Sequence, residues 1–230
     1  MQPDYRLNSQ KTWDAIAESF DTTRQKPWKI CLDFIHSLRD TDIVADVGCG
    51  NGRHLFPCAE QCSQAVGVDI SKKLLRIIEK KNQYKTFNNI SLVQADAVQL
   101  PFEDYSFDAV LCIASLHNIK GRSNRRTALH EIFRILKSDG CALLSVWSRW
   151  QERYYKYFLK QYLVGKEEFG DIEIDWRQHN LNIPRFYHLY SKSEFHQELK
   201  GVGFHIVSLD SVKIRVKRFP DNYFARVRKR

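Results

Sequence analysis

Short apolar runs recur along this chain at Val44–Val47, at Ala65–Val68 closed by Asp69, and at Ile90–Gln94, Ala109–Ala114 and Ala142–Trp147. Each is too short for a buried helix, and its near-continuous apolar character predicts a strand covered on both faces. Between the runs the period lengthens. Glu131 to Lys137 carries helical apolar spacing, and Gly140 is expected to stop that helix. Ahead of the first strand, Trp13, Ile16, Ala17 and Phe20 fall at i, i+3, i+4 and i+7, one face of an N-terminal helix. Strands and helices alternating in this way predict an α/β fold on a mainly parallel sheet.

The first strand runs into a glycine turn, V-A-D-V-G-C-G-N-G over residues 44–52. Gly48, Gly50 and Gly52 permit positive φ and keep Cβ atoms out of a ligand's way. Asp69 ends the second strand 17 residues after Gly52, near the ~20 expected where an acid accepts the hydroxyls of a nucleotide ribose. The last glycine of a dinucleotide fingerprint would fall on Arg53, and the phosphate-loop signature G-x-x-x-x-G-K-[ST] is absent. Asp46, in the mouth of the turn, would repel a phosphate. A carboxylate there suits a cationic ligand with an amino-acid tail.

At 230 residues and 43% hydrophobic content, the chain is read as a single domain with a sizeable core. Its expected parts are a helical lid at 1–40, a cofactor-binding core at 41–150, a substrate-side insertion at 151–195, and a helix end with a β-hairpin at 196–230. No run approaches the ~20 apolar residues of a membrane span, and Met1 to Tyr5 lacks the apolar stretch of a signal peptide. The six cysteines fall mostly in predicted core elements, which points to reduced thiols and a cytoplasmic location. Cys58-x-x-x-Cys62 is half of a metal-site spacing with no second pair to complete it, so no metal is expected. The net charge of +9 gathers in three clusters. One runs from Lys72 and Lys73 through Arg76, Lys80 and Lys81 to Lys85, the second is Arg122, Arg125 and Arg126, and the third runs from Lys213 to Arg230. Such clustering favours a polyanionic partner, although no RNA-binding module accompanies it.

The glycine turn and its acids resemble motif I of the class I S-adenosylmethionine-dependent methyltransferases. Ala95-Asp96-Ala97 after the third strand and the lead-in P-F-x-D-x-S-F-D (Pro101–Asp108) before the fourth resemble the same family. A narrower likeness comes from W-D-x-I-A-x-x-F-x-x-T-R-x-K-P-W (Trp13–Trp28), D-V-G-C-G-N-G, L-L-S-V-W and P-R-F-Y-H-L-Y-S-x-x-E-F (Pro184–Phe195). Together these resemble the tRNA wobble-uridine carboxymethyl methyltransferases, over nearly the whole chain. The chain departs from that family at Leu116-His117-Asn118, where paired histidines are usual. It departs again at Tyr223-Phe224, which replaces a Trp-rich ending, and from Glu152 to Asn182, where the likeness is loose.

The resemblance implies a Rossmann-like seven-stranded sheet of order 3-2-1-4-5-7-6, the last strand antiparallel, with helices on both faces. It implies S-adenosylmethionine as cofactor, held by Trp13 on the lid and by Asp46, Gly48, Cys49, Gly50, Asn51, Gly52, Asp69, Ile70, Asp96, Ala97 and Ile113 at the carboxyl ends of the strands. Asp96 is expected to accept from the adenine amine. The implied reaction esterifies the carboxylate of 5-carboxymethyluridine in a tRNA anticodon stem-loop, with a small zinc-binding activator subunit. An ionised carboxylate, with a pKa around 4, needs no general base, so alignment and desolvation suffice. Arg24 is expected to pair that carboxylate or an anticodon phosphate through its planar fork, beside Lys26 and Trp28. His117 with Asn118 is expected to hydrogen-bond the flipped base and Trp147 to stack on it. Arg185, Tyr187, His188 and Tyr190 complete the acceptor wall. Strand Ile90–Gln94 is expected at the sheet edge, where the activator adds by strand pairing. A small-molecule methyltransferase acting on a quinone or amine, and a non-catalytic cofactor- or RNA-binding scaffold, remain open beside this reading.

Overall fold

The computed structural model describes residues 5–162, 168–214, 216 and 218–230; Met1–Asp4 and the basic-cluster residues Arg215 and Lys217 lie outside the described residues. Among the described residues nine strands form: β1 (Ile43–Val47), β2 (Gln64–Asp69), β3 (Ile90–Gln94), β4 (Phe107–Ile113), β5 (Leu136–Trp147), β6 (Asp171–Trp176), β7 (Ile183–His188), β8 (His205–Val212) and β9 (Asn222–Arg228). Seven of them make one sheet in the order β3-β2-β1-β4-β5-β9-β8. The five strands from β3 to β5 run parallel, and β9 enters antiparallel to both β5 and β8. Counting the sheet's own strands in chain order, this is 3-2-1-4-5-7-6, the expected topology.

The side-chain period of two splits the sheet residues between two cores. Ala45, Val47, Val66, Val68, Val110 and Cys112 face α5 (Arg122–Ile135) and α7 (Lys192–Val202). Val44, Ala65, Ala109, Leu111 and Ile113 face α2 (Lys29–Ile35), α3 (Leu55–Gln61) and α4 (Lys72–Lys85). Both faces are therefore dry, which is why the strand sequences read as continuous apolar runs instead of alternating ones. Cys58 and Cys62 are buried free thiols in this second core. At the edge, β3 is only half-buried, and Leu92 sits with one side uncovered.

Local signals set the helix ends. Ser71 caps α4 by accepting from the Leu74 N–H at 3.1 Å, and Ser191 with Glu194 forms a reciprocal capping box on α7, features each worth about 1 kcal/mol. The expected stop at Gly140 is not where the helix ends. α5 ends at Ile135 and the chain enters β5 at Leu136. Asp139, not Gly140, takes the positive φ, and β5 bulges against β4 between its pairings at Leu136 and Cys141. Gly140 is needed there for space, because a Cβ would lie 2.8 Å from the Lys137 carbonyl oxygen.

Two additions build one end of the molecule. Helix α1 (Tyr5–Thr23) lies against α4 and buries Ile16 and Ala17. The antiparallel pair β6–β7 and helix α6 (Tyr155–Tyr162) share a small core of Tyr154, Phe158, Ile174, Tyr187 and Leu189. Together α1 and the β6–β7 pair wall a cavity over the carboxyl ends of β1, β2 and β4.

A candidate methyl-transfer site

The cavity has a volume of about 770 Å³, and its two ends carry opposite chemistry. At one end lies the glycine turn. The N–H groups of Gly48 and Cys49 donate to the Val68 carbonyl at 2.7 and 3.0 Å, locking the turn against β2. Gly48 has φ +74°, and a Cβ there would lie 2.1 Å from Ser115 Oγ, so no other residue fits. The Gly50 N–H donates to Asp69 Oδ2 at 2.8 Å and the Ser71 N–H to Oδ1 at 2.9 Å. Each carboxylate oxygen retains a further lone pair for a ligand. Burial raises the Asp69 pKa to about 6 against the lowering by these N–H bonds.

Asp46 lies beneath the turn, 1% exposed, and its Oδ2 has no hydrogen-bond partner. Burial lifts its pKa to about 7, with Arg53 opposing and Asp69 adding to the rise. An acid kept dry in this way is only partly ionised near neutral pH, and a cation beside it favours full ionisation. Asn51 fastens the lid: its Nδ2 donates to Asp21 Oδ1 at 2.7 Å and to the Arg24 carbonyl at 3.0 Å. Lys81 of α4 also pairs with Asp21.

The other end is cationic and aromatic. His117, Trp147 and Tyr187 stack, with Trp147 and Tyr187 centroids 4.8 Å apart at 12° and His117 5.4 Å from Tyr187. The Trp147 backbone N–H donates to His117 Nδ1 at 3.1 Å, which places the ring proton on Nε2. Burial, helped by Arg185, holds the His117 pKa at about 3, so the ring is neutral. Arg185 is 8% exposed and sits among Trp176, Tyr187 and Trp13, its guanidinium carbon 4.7, 5.0 and 5.8 Å from their centroids. Its Nε has no hydrogen-bond partner, and among the described residues no acid forms an ion pair with it. Burial pulls its pKa below that of a free guanidinium. A buried guanidinium with this surrounding is a socket for an anion.

Most of the residues singled out in the sequence meet here. Trp13, Arg24, Trp28, Gly48, Cys49, Gly50, Asn51, Asp69, Ile70, Asp96, Ala97, Ile113, His117, Asn118, Trp147, Arg185 and Tyr187 all line the cavity. Five do not. Asp46 lies behind the wall, and Gly52 packs toward Phe56 and Ile78. Lys26 is exposed on a separate shallow cleft beside Arg24 and Arg53. His188 and Tyr190 are turned away by strand parity: β7 aims Arg185 and Tyr187 inward, so His188 faces the other side. There His188 Nδ1 meets Asp171 at 2.6 Å and Nε2 meets Glu194 at 2.8 Å, while Tyr190 donates to Glu198 at 3.1 Å. Glu168, Asp171 and His188 offer ligand atoms within 4.8 Å of one another, yet Glu168 pairs with Arg125 and both His188 nitrogens are occupied. Residues that the sequence did not single out for the site also line the cavity, chiefly Arg53, Ser115, Arg153, Trp176 and Asn222. The alternation D-I-E-I-D-W over Asp171–Trp176 is a strand signal that points Trp176 the same way as Ile174 and Ile172.

Comparison with known proteins agrees with this geometry. Residues 45–144 match the family described as methyltransferase domain. A candidate methyltransferase of Encephalitozoon cuniculi, ECU09_1500, is 32% identical over 197 residues, which span 85% of this chain and 86% of that one. This chain belongs to the S-adenosylmethionine-dependent methyltransferases. The tRNA (carboxymethyluridine(34)-5-O)-methyltransferase alkbh8 of Xenopus tropicalis is 32% identical over 205 residues, 89% of this chain but 31% of that protein. The chain thus spans about a third of the first curated relatives it matches. A solved complex between the Trm112 methyltransferase activator of Haloferax volcanii and a methyltransferase contains a chain of the same fold, with TM-score 0.71, 18% identity and 96% of each chain covered.

The residues present fit the methyltransferase cofactor. The unpartnered Asp46 oxygen and the ionisable Asp69 give the negative potential that a sulfonium and an ammonium require. Asp96 and Ala97 follow β3 at the same rim. The lid side chains Trp13 and Phe20, edge to face at 5.7 Å, close over the turn, and a Cβ on Gly50 would come within 3.3 Å of the Phe20 ring.

Proposed function

We propose that this chain esterifies the carboxylate of 5-carboxymethyluridine at the wobble position of tRNA. The observation that carries the reading is Arg185, a buried guanidinium facing the acceptor end of the cavity with no acid paired to it among the described residues. An ionised acceptor carboxylate supplies the missing partner through two parallel hydrogen bonds. Bound at the glycine turn, S-adenosylmethionine supplies an electrophilic methyl group on a sulfonium. The chain's own residues then have three tasks. Arg185 fixes the acceptor, with Arg24, whose guanidinium carbon lies 5.6 Å from the Trp176 centroid, closing the mouth. Trp147 and Tyr187 offer a face on which the uracil stacks. Neutral His117 presents its Nε2–H as a donor.

No residue needs to remove a proton, since the nucleophile is ionised at neutral pH with a pKa around 4. An amine acceptor, the small-molecule alternative, requires a base, and a histidine whose pKa is held down to about 3 by burial is a poor one. The name of the Xenopus relative supports the same substrate. The half-covered edge strand β3 is the proposed seat of a small zinc-binding activator, which adds by strand pairing across Leu92. The Haloferax activator complex supports such a partnership.

The test is nucleoside mass spectrometry of tRNA after incubation with methyl-labelled cofactor, with the activator co-expressed or omitted. An alkali-labile label in the wobble nucleoside is expected, together with poor solubility of the chain alone and rescue by the activator. Alkali-stable label would move the acceptor to nitrogen or carbon. A soluble, fully active chain without a partner would remove the activator from the proposal.

A further inference from the structure

Helix α6 has an unusually aromatic outer face for a surface element. Its inner side is ordinary: Phe158 and Gln161 are buried, with Phe158 against Ile174 and Leu189. Its outer side should be polar. Instead it carries Tyr157, Leu159 and Tyr162, 39%, 53% and 75% exposed, alternating with Lys156 and Lys160, and the helix contains no acid. Phe219, also exposed, adds a ring beside Tyr155 at the start of the helix. Glu152, three residues before the helix, accepts from the backbone N–H groups of Arg218 and Phe219, and Phe219 lies 5.9 Å from Tyr155.

Separated aromatic rings set among cations, on a helix that itself holds no acid, match the chemistry of unstacked nucleotides better than that of an apolar protein or lipid face. The location gives a second argument. Arg153 and Tyr154, immediately before α6, line the cavity. A nucleotide inserted there must lead its neighbours out across this rim. We propose that the outer face of α6 is the docking surface for the single-stranded RNA flanking the target nucleotide, its bases stacking on Tyr157 and Tyr162 and its phosphates meeting Lys156 and Lys160. The inference rests on the RNA reading of the site above. It adds a surface in the stretch where this chain is least like the family it resembles.

The experiment compares the parent chain, Tyr157→Ala/Tyr162→Ala and Lys156→Gln/Lys160→Gln by fluorescence anisotropy with a labelled 17-nucleotide anticodon stem-loop, an RNA probe of about that length, and by steady-state methylation of the same RNA. The two lysines are exposed, and Tyr157 and Tyr162 touch Phe158 and Phe169 only edge to face, so melting temperatures should stay within a few degrees of the parent, about 1 kcal/mol per lost ring contact at most. The tyrosine pair is expected to weaken RNA binding about thirtyfold, two stacked bases at roughly 1 kcal/mol each, the low end of the usual range, raising KM with kcat unchanged and cofactor binding unaffected. The lysine pair is expected to reduce the slope of log affinity against log salt by about 1.4, the value for two contacts to a single strand. If the parent methylates the stem-loop while both variants bind it as tightly as the parent, the α6 inference fails and the reading of the site stands. If the variants lose only binding to vesicles containing phosphatidylserine, the face belongs to a membrane surface and the inference is overturned. If the parent binds the stem-loop through α6 but transfers no methyl group, the site reading fails and the docking surface survives.

Discussion

The two ends of the cavity were made by different means. The cofactor end is backbone: glycine N–H groups, strand ends and two acids whose positions follow from β1 and β2 alone. The acceptor end is side chains gathered from five places, with Trp13 from the lid, His117 and Trp147 beside β4 and β5, and Trp176 and Arg185 from the β6–β7 pair. One end holds two buried acids, Asp46 with an unpartnered Oδ2, and the other a buried guanidinium, Arg185, in no ion pair among the described residues. On the proposed function, this contrast sorts the ligands, a cationic donor going to the acids and an anionic acceptor to the guanidinium.

Breaking the cationic end should have the largest effect. Arg185→Met is expected to lower kcat/KM about a thousandfold, in line with the 2–5 kcal/mol lost when one partner of a buried charge pair is removed. The cofactor Kd should stay within about threefold. Because the substitution removes a buried charge lacking an acidic partner, the melting temperature should hold or rise. Steady-state kinetics with calorimetry and thermal melting check the three together. At the opposite end, Asp69→Ala should weaken cofactor binding about a hundredfold, two charged hydrogen bonds at roughly 1.5 kcal/mol each, with the effect confined to Kd.

The next prediction is a pH dependence, and its sign follows from the raised acids. Folded Asp46 and Asp69 titrate at about 7 and about 6, above the usual carboxylate value. The ligand-free folded chain therefore keeps protons that the unfolded chain has released, and its stability should fall as pH rises from about 4 to 7. Cofactor affinity should move the other way, tightening about tenfold between pH 5.5 and 7.5 as these acids ionise toward a cation. Calorimetric titrations and denaturant melts across this range measure both.

The smallest effect belongs outside the cavity. His188 shares β7 with Arg185 but lies on the opposite face, where hydrogen bonds to Asp171 and Glu194 outweigh burial and raise its pKa. Its stabilising contribution is complete below its unfolded pKa near 6.5 and is lost as pH rises through the higher folded value. His188→Gln should leave kcat/KM within about twofold and lower the melting temperature by about 2–4 °C at pH 6, the shift for ~1 kcal/mol in a domain of this size.

These contrasts also mark what the sequence discloses. The sheet was legible because strands covered on both faces must be continuously apolar, and the glycine turn because only glycine fits against Ser115. The end of α5 was not, because a bulge put Gly140 inside a strand instead of after a helix. The R-F-Y-H-L-Y segment reaches the cavity through Arg185 and Tyr187 but not through His188 and Tyr190. Period two sends Arg185 and Tyr187 inward and His188 outward, and that parity becomes visible only once the partner strand β6 is recognised. Trp176 escaped for the same reason: its strand, D-I-E-I-D-W, has no likeness to lean on, only its alternation.

The central claim is that charge at the acceptor end selects a carboxylate. It is tested most directly by methyl transfer to two anticodon stem-loops that differ only in the wobble substituent, carboxymethyl or its uncharged carbamoylmethyl counterpart, each presented to the parent and to Arg185→Met. The account predicts alkali-labile methyl ester on the carboxylate RNA with the parent, at least about a hundredfold tighter binding of that RNA than of the amide, and loss of both properties in Arg185→Met. Equal binding of the two RNAs by the parent, or ester formation undiminished in Arg185→Met, would contradict it.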